Sequence, residues 1–382
     1  MEHQQIRRLQ DEAIPKLLWR FSLPAIIGTF FNSLYNIVDR IFIGQGVGAD
    51  GLAAATVAFP IMMMIMAVGM LIGFGSNALI SIHLGEKNKE AAQKILNQAV
   101  FLFVAFSGVF MILGNVFLTP LLRIFGAGET ILPLARDYTS IIIWGVLANI
   151  FSFGVNNFIR GEGNPRIAMV TLIVGALLNM VLDPLFIFVF HLGMRGAAWA
   201  TVLAQAVSAF WVLAYYLRGT SILKLRLGEM RFSAKLTKKV AAIGSPMFVM
   251  NAANVFILMF VNQGLSKYGG DLAIAAMGVI FTVHMVNFMP IIGLSQGVQP
   301  IIGYNYGARN FSRVRETLIL AVNTTTLWGC FATALIFLFP RLTFLPFSHG
   351  NEELIRLGSH AIPITLSQFP FIGLMVITGN YF

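Results

Sequence analysis

The stretch Phe59-Pro-Ile-Met-Met-Met-Ile-Met-Ala-Val-Gly-Met-Leu-Ile-Gly-Phe74 carries no charged or hydrogen-bonding side chain and lies inside a longer apolar run, from about residue 52 to 82. At about 1.5 Å per residue, roughly 20 mostly apolar residues are needed for a helix to cross ~30 Å of hydrocarbon. A barrel strand would instead show about ten residues of strict alternation, and the run Ile61 to Met66 does not alternate. The stretch therefore reads as a membrane helix. Nine others resemble it, at about 17 to 43, 96 to 118, 138 to 158, 167 to 190, 196 to 217, 241 to 266, 272 to 302, 316 to 339 and 355 to 381. With 57% apolar and 11% charged residues over 382 positions, and a mean hydropathy of +0.78, the chain is an all-α, polytopic membrane protein and not a soluble globule.

The net charge of +10 follows membrane topology rather than nucleic-acid binding. Most of the cations fall on one side: Arg7, Arg8, Lys16 and Arg20 in and after the first polar segment, and Lys87, Lys89, Lys94, Arg160, Arg166, Arg218 through Lys239, Arg309, Arg313 and Arg315 in the even-to-odd loops. The positive-inside rule places that side, and both ends, in the cytoplasm. The first sixteen residues are polar and show no signal-peptide pattern, so the first helix reads as an uncleaved anchor in the cytoplasmic membrane. Arg40 lies within that helix, beside Asp39. The lone Cys330 excludes an intrachain disulfide and reads as a small apolar filler.

Sliding the chain by 222 residues pairs Pro24 with Pro246, Asn32 with Asn254, Gly48 with Gly270, Phe59 with Phe281, Met63 with Met285, Gly75 with Gly297, Gly85 with Gly307 and Asn88 with Asn310. Matched Pro, Asn and Gly at one offset indicate a duplication. Six helices precede the second copy, so both copies start on the same side, as parallel repeats related by an axis along the membrane normal do. The expected organisation is a cytoplasmic tail (1–16), a first six-helix lobe (17–217), a basic cytoplasmic linker (218–240) and a second lobe (241–382). The linker reads as a solvated interfacial segment. Four helices follow it where six are expected, so the second lobe reads as lacking its last two.

Two carboxylates, Asp39 and Asp183, lie inside apolar helices, where an ionised group costs at least a few kcal/mol unless it faces a water-filled cavity and binds a cation or carries protons. In Leu178-Asn-Met-Val-Leu-Asp-Pro-Leu185, Asn179 and Asp183 are one helical turn apart and share a face. Pro184 frees the carbonyl of Met180. Pro24 can kink the first helix about four turns before Asp39. The alternatives are a structural hydrogen bond for Asp183 and an interfacial charge pair with Arg40 for Asp39. The second copy has no acid inside its helices. Its His284 could titrate, though a neutral hydrogen-bonded role is the simpler reading. The chain has no P-loop, HExxH or CxxC, so neither ATP-driven transport nor an ATP-binding subunit is expected. Gly293-Leu-Ser-Gln-Gly297 matches GxSxG but sits in an apolar helix, where small residues at helix contacts explain it better than a nucleophile elbow.

Ser22-Leu-Pro24, Val38-Asp39, Arg160-Gly-Glu-Gly-Asn-Pro165, Leu182-Asp-Pro184 and Gly196-Ala-Ala-Trp-Ala-Thr201, taken with the repeat, resemble the multidrug and toxic compound extrusion (MATE) family in its MepA-like and DinF-like prokaryotic branch. The resemblance covers essentially the whole chain. It implies two helical bundles around a V-shaped cleft, cycling between outward-open and inward-open states. It also implies antiport, in which amphipathic, often cationic small molecules leave as Na+ or H+ enters, with no further cofactor. It places a first-lobe cation site on Asp39, Asn179, Asp183 and Thr201, with Asn156 nearby and Na+ as the possible metal. Membrane lipids are the other expected partners, and nucleic acid is not one. The rival readings are a flippase for lipid-linked precursors, which would want several arginines in the cleft, a membrane-embedded enzyme, and a passive channel.

Overall fold

The computed structural model describes residues 8–218, 221–348 and 352–381, and among these there is no strand. In chain order the helices are α1 (Ile14–Gly46), α2 (Ala49–Gly85), α3 (Lys89–Val116), α4 (Leu118–Ile124), α5 (Leu132–Trp144), α6 (Val146–Ile150), α7 (Asn156–Gly161), α8 (Pro165–Pro184), α9 (Gly193–Leu217), α10 (Ala234–Gly307), α11 (Phe311–Leu338), α12 (Pro340–Ser348), α13 (Glu352–Leu366) and α14 (Phe369–Tyr381). A π-helical turn, Phe151–Val155, joins α6 to α7, and another, Leu185–Val189, follows α8. Large apolar side chains such as Ile112, Phe210 and Leu327 are 67%, 70% and 70% exposed, which suits lipid and not water.

Among the described residues eight segments are long and apolar enough to cross a membrane, and α5 with the α6–α7 run forms a ninth, bent by 58°. The expected straight span at 138 to 158 is therefore broken, at Gly145, where a side chain would overlap Val202 of α9. The expected connection at 267–271 is not a break either. Helical backbone runs from Ala234 to Gly307 through both expected segments, 241 to 266 and 272 to 302. No proline interrupts it between Pro246 and Pro290, and two adjacent glycines weaken a helix without forbidding one. The side chains of Lys267 and Asp271 lie outside the described residues. The last expected span, 355 to 381, is interrupted between Leu366 and Phe369, just ahead of Pro370. Cys330 is exposed on α11, so it is not a core filler.

The two copies meet across a local two-fold axis. Asn77 Nδ2 donates to Gln299 Oε1 at 2.8 Å, and these residues are 222 apart, so equivalent positions touch each other, as happens only at an axis that relates them. The same exchange recurs at the glycines. A Cβ on Gly85 would strike the carbonyl of Tyr304 and come 2.9 Å from Ala308 N, while one on Gly307 would strike the carbonyl of Ile82 and come 3.1 Å from Glu86 N. Both helices then leave through the same left-handed turn, with Lys87 and Arg309 each at φ 59. Gly293 and Gly297 bring α10 against the backbone of α1, each with a notional Cβ 2.6 Å from Ile26 Cα and Ser22 Oγ respectively. The GxSxG match is thus a helix contact. All these contacts lie on the side where α1 begins and α2 and α10 end.

Arg160 corrects the charge map drawn from sequence. It is not a loop cation but 2% exposed at the end of α7, donating to Asn157 Oδ1 at 2.7 Å and to Gln296 Oε1 across the seam. The linker is likewise not simply solvated. Lys224 exchanges two bonds with the Gln93 amide, Arg226 N reaches Asn97 Oδ1 at 3.3 Å, and Ser233 N reaches Gln98 Oε1 at 3.0 Å. Its start is held by Glu162, a buried carboxylate that accepts from Ser221 Oγ at 2.6 Å, Ile222 N at 3.1 Å and the Tyr215 hydroxyl at 3.1 Å. On the other copy, Arg313 grips the segment before α1 through the carbonyls of Glu12 (2.6 Å) and Leu9 (3.3 Å).

Gly85→Ala and Gly307→Ala should each lower the apparent melting temperature of the detergent-solubilised protein, by the equivalent of about 1–3 kcal/mol, because the obstructing atoms are backbone. Gly108→Ala, with nothing within 4 Å, should leave it unchanged or higher. Burial pushes the Glu162 carboxyl up to about 7, against the lowering effect of its bonds from Ser221, Ile222 and Tyr215. A folded value above the unfolded one means ionisation costs stability. The Glu162 contribution should therefore fall as pH rises from about 4.5 to about 7 and stay level above, and Glu162→Gln should flatten the melting temperature over that window.

Candidate functional site

The site is built where α1, α5, α8 and α9 face one another. Asp39 is 8% exposed and Asp183 fully buried, and their carboxyl groups lie within hydrogen-bonding reach of each other although α1 and α8 are far apart in sequence. Asn179, one turn before Asp183 on α8, donates its amide to Asp183 Oδ1 at 3.3 Å and to Thr201 Oγ1 of α9 at 3.4 Å. Asp39, Asn179, Asp183 and Thr201 are thus brought into one chamber. Three oxygens there, Asp39 Oδ1, Asn179 Oδ1 and Asp183 Oδ2, are buried without a hydrogen-bond partner. Acceptors left unpaired in a dry interior are expensive, and a proton or a hard cation is what satisfies them.

Arg40 does not neutralise the pair. Its guanidinium turns outward, over the Phe59 ring at 5.4 Å from the centroid, so the expected Asp39–Arg40 charge pair is not formed. Asn156 is not part of the set either. It is buried after the π turn, but its amide donates to Ala168 O at 3.2 Å, some 16 Å from Asn179 along α8 by helical rise. Pro24 lies within α1, which runs through it unbroken. The sequence reading missed three residues. Tyr35 has its hydroxyl within reach of the Asn36 and Gln205 amides, and both Tyr35 and Tyr138 lie close to the two carboxyls. Helical spacing held the signal: Tyr35 is one turn before Asp39, and Gln205 one turn after Thr201.

In the second copy, the His284 ring packs edge-on against Phe369 at 5.4 Å and beside Phe288 at 5.7 Å. Among the described residues it makes no hydrogen bond, unlike the hydrogen-bonded role expected for it. Neighbouring Trp328 donates to Asn287 O at 3.0 Å.

The MatE family model matches residues 24–185 and again 246–382, opening on Pro24 and Pro246, the prolines that the internal repeat pairs. The chain belongs to the MatE family. MatE proteins are transporters, so this one is a multi-pass membrane transporter and not an enzyme. Multidrug export protein MepA of Staphylococcus aureus is 24% identical over the whole chain, which spans 85% of that protein. A MATE multidrug transporter, DinF-BH, solved as a complex with a drug, is 38% identical with a TM-score of 0.89, over 97% of this chain and 83% of its own. A multidrug resistance MATE transporter in an outward-facing conformation is 25% identical with a TM-score of 0.88, over 98% and 83%.

Proposed function

We propose that this MatE protein is an antiporter that exports amphipathic, often cationic compounds across the cytoplasmic membrane, driven by inward movement of H+ or Na+ through the first bundle. The observation that carries the proposal is the buried pair Asp39 and Asp183 with three unpartnered oxygens around it. Like charges in one dry chamber repel, and a proton on one carboxyl, or a cation between them, relieves the repulsion. With Na+, the donors would be the oxygens of Asp39, Asn179, Asp183 and Thr201; Asn156 lies outside the set. No further cofactor is invoked.

Coupling follows from competition. A cationic cargo and the driving ion both favour the ionised pair, so each lowers the affinity of the other by the same free energy. Pro24, buried in α1 beside the seam, is the proposed hinge. The division into a tail (1–16), two lobes and a linker (218–240) is proposed with the linker travelling with the first lobe, as its bonds to Gln93, Asn97, Gln98 and Glu162 favour. With the N-terminus and the basic side in the cytoplasm, the closed seam is cytoplasmic and this conformation faces outward; likeness to an outward-facing relative supports that orientation. Relatives named for multidrug export favour drug-like cargo over the lipid-linked precursors of a flippase, as does a seam with one buried arginine in place of several.

Asp39→Asn and Asp183→Asn should each reduce drug efflux from cells at normal expression by roughly 5- to 150-fold, the span of a 1–3 kcal/mol coupling. Resistance at the unaltered level in either variant would end the proposal. In vesicles, a pH gradient and a Na+ gradient imposed separately identify the driving ion, and efflux that ignores both would point to a channel.

A further inference from the structure

The seam between the copies is polar as well as tight. Ser22 Oγ, Ser76 Oγ, Asn77 Oδ1 and Ser81 Oγ are buried without protein partners. They adjoin one another through the glycine contacts: Ser22 faces Gly297, while Asn77 and Ser81 both face Gly161, and Ser81 also faces Gly303. Buried polar groups of this kind are ordinarily met by water. On the cation-coupled reading above, a hydrated thread of hydroxyls and amides between the bundles is a hazard, because it would let the driving ion cross without cargo and discharge the gradient.

Arg160 stands on that thread. Its side chain is 2% exposed, and its two hydrogen-bond acceptors, Asn157 Oδ1 and Gln296 Oε1, are neutral amides. Its Nε has no partner, and among the described residues no carboxylate pairs with it. Arginine that serves only to join two helices is ordinarily matched by an acid; here the charge is left unneutralised at a cost. We infer that Arg160 is a guard against cation leak: a fixed positive charge on the polar path between the two copies that keeps H+ and Na+ from passing while the seam is shut. Pores that carry water and exclude cations use a positive group in the same way. Bonds to neutral amides, weaker than a full ion pair, also let the seam part when the bundles separate.

The test uses the full chain in sealed vesicles at matched incorporation, without cargo and with the membrane potential clamped. Passive entry of H+, and separately of Na+, is recorded for the unaltered protein and for Arg160→Gln and Arg160→Lys. Arg160→Gln should leak faster by roughly ten-fold, as a modest lowering of the barrier gives, and Arg160→Lys should stay near the unaltered rate. Gln296→Leu, which keeps the charge and removes the bond, should not leak, and Asn77→Asp, which sets a negative charge on the path, should. The inference is overturned if Arg160→Gln is as tight as the unaltered protein, or if Arg160→Lys or Gln296→Leu leaks as much as Arg160→Gln, since either of those makes the seal one of shape. Should the Arg160 variants fail to insert, Asn77→Asp against Gln296→Leu decides. Cargo-driven cation flux of the unaltered protein, read in the same vesicles, reports on the coupling itself, so loss of that reading is distinguishable from loss of this one.

Discussion

The backbones of α2 and α10 touch where Gly85 and Gly307 each face the other's carbonyl groups, and the placement of both bundles depends on that contact. Two helices can come this close only where neither carries a Cβ, and the duplicated sequence supplies a glycine to each partner at the same register. Because the relation is two-fold, one close approach fixes two. The turn after each helix then repeats too, with Lys87 and Arg309 in the same left-handed conformation. Held together on this side by backbone, the bundles leave the chamber around Asp39 and Asp183 to be shaped by the first copy alone.

Duplication has kept the scaffold and not the chemistry. The residue aligned with Asp39 in the second copy is Val261, and the seam pairs Asn77 with its counterpart Gln299 as unlike halves of one hydrogen bond. An axis relating two identical amides would force donor to meet donor unless one rotated. Substituting Gln for Asn on one side lets the longer side chain accept from Asn77 and also donate to the Phe74 carbonyl at 3.2 Å.

Much of this was legible in the chain. Apolar runs gave the membrane helices, the matched prolines and glycines gave the repeat, and helical spacing joined Asn179 to Asp183. What could not be read was anything that depends on neighbours in space. Arg160 resembled a loop cation because it ends a helix in a Gly-rich stretch; only the seam shows that it is buried. Asn156 looked like a companion of Asp183 because both are polar in apolar surroundings, yet they bond at different depths of α8. The 267–271 region looked like a connection by its charges and glycines, while the backbone stays helical, since charge patterns mark the membrane surface and not the end of a helix. Glu162, in a polar connection by sequence, holds the linker because four donors converge on it.

The π-helical turn Leu185–Val189, directly after Asp183 and Pro184, holds one residue more than an α-helix would use over the same rise. A surplus residue of this kind can pass along a helix one hydrogen bond at a time, and each step turns the preceding side chains by about 100° and advances them by about 1.5 Å. Asp183 therefore sits on a screw whose thread is already loosened at one end, able to swing its carboxyl about the helix axis while the ends of the helix keep their anchorage.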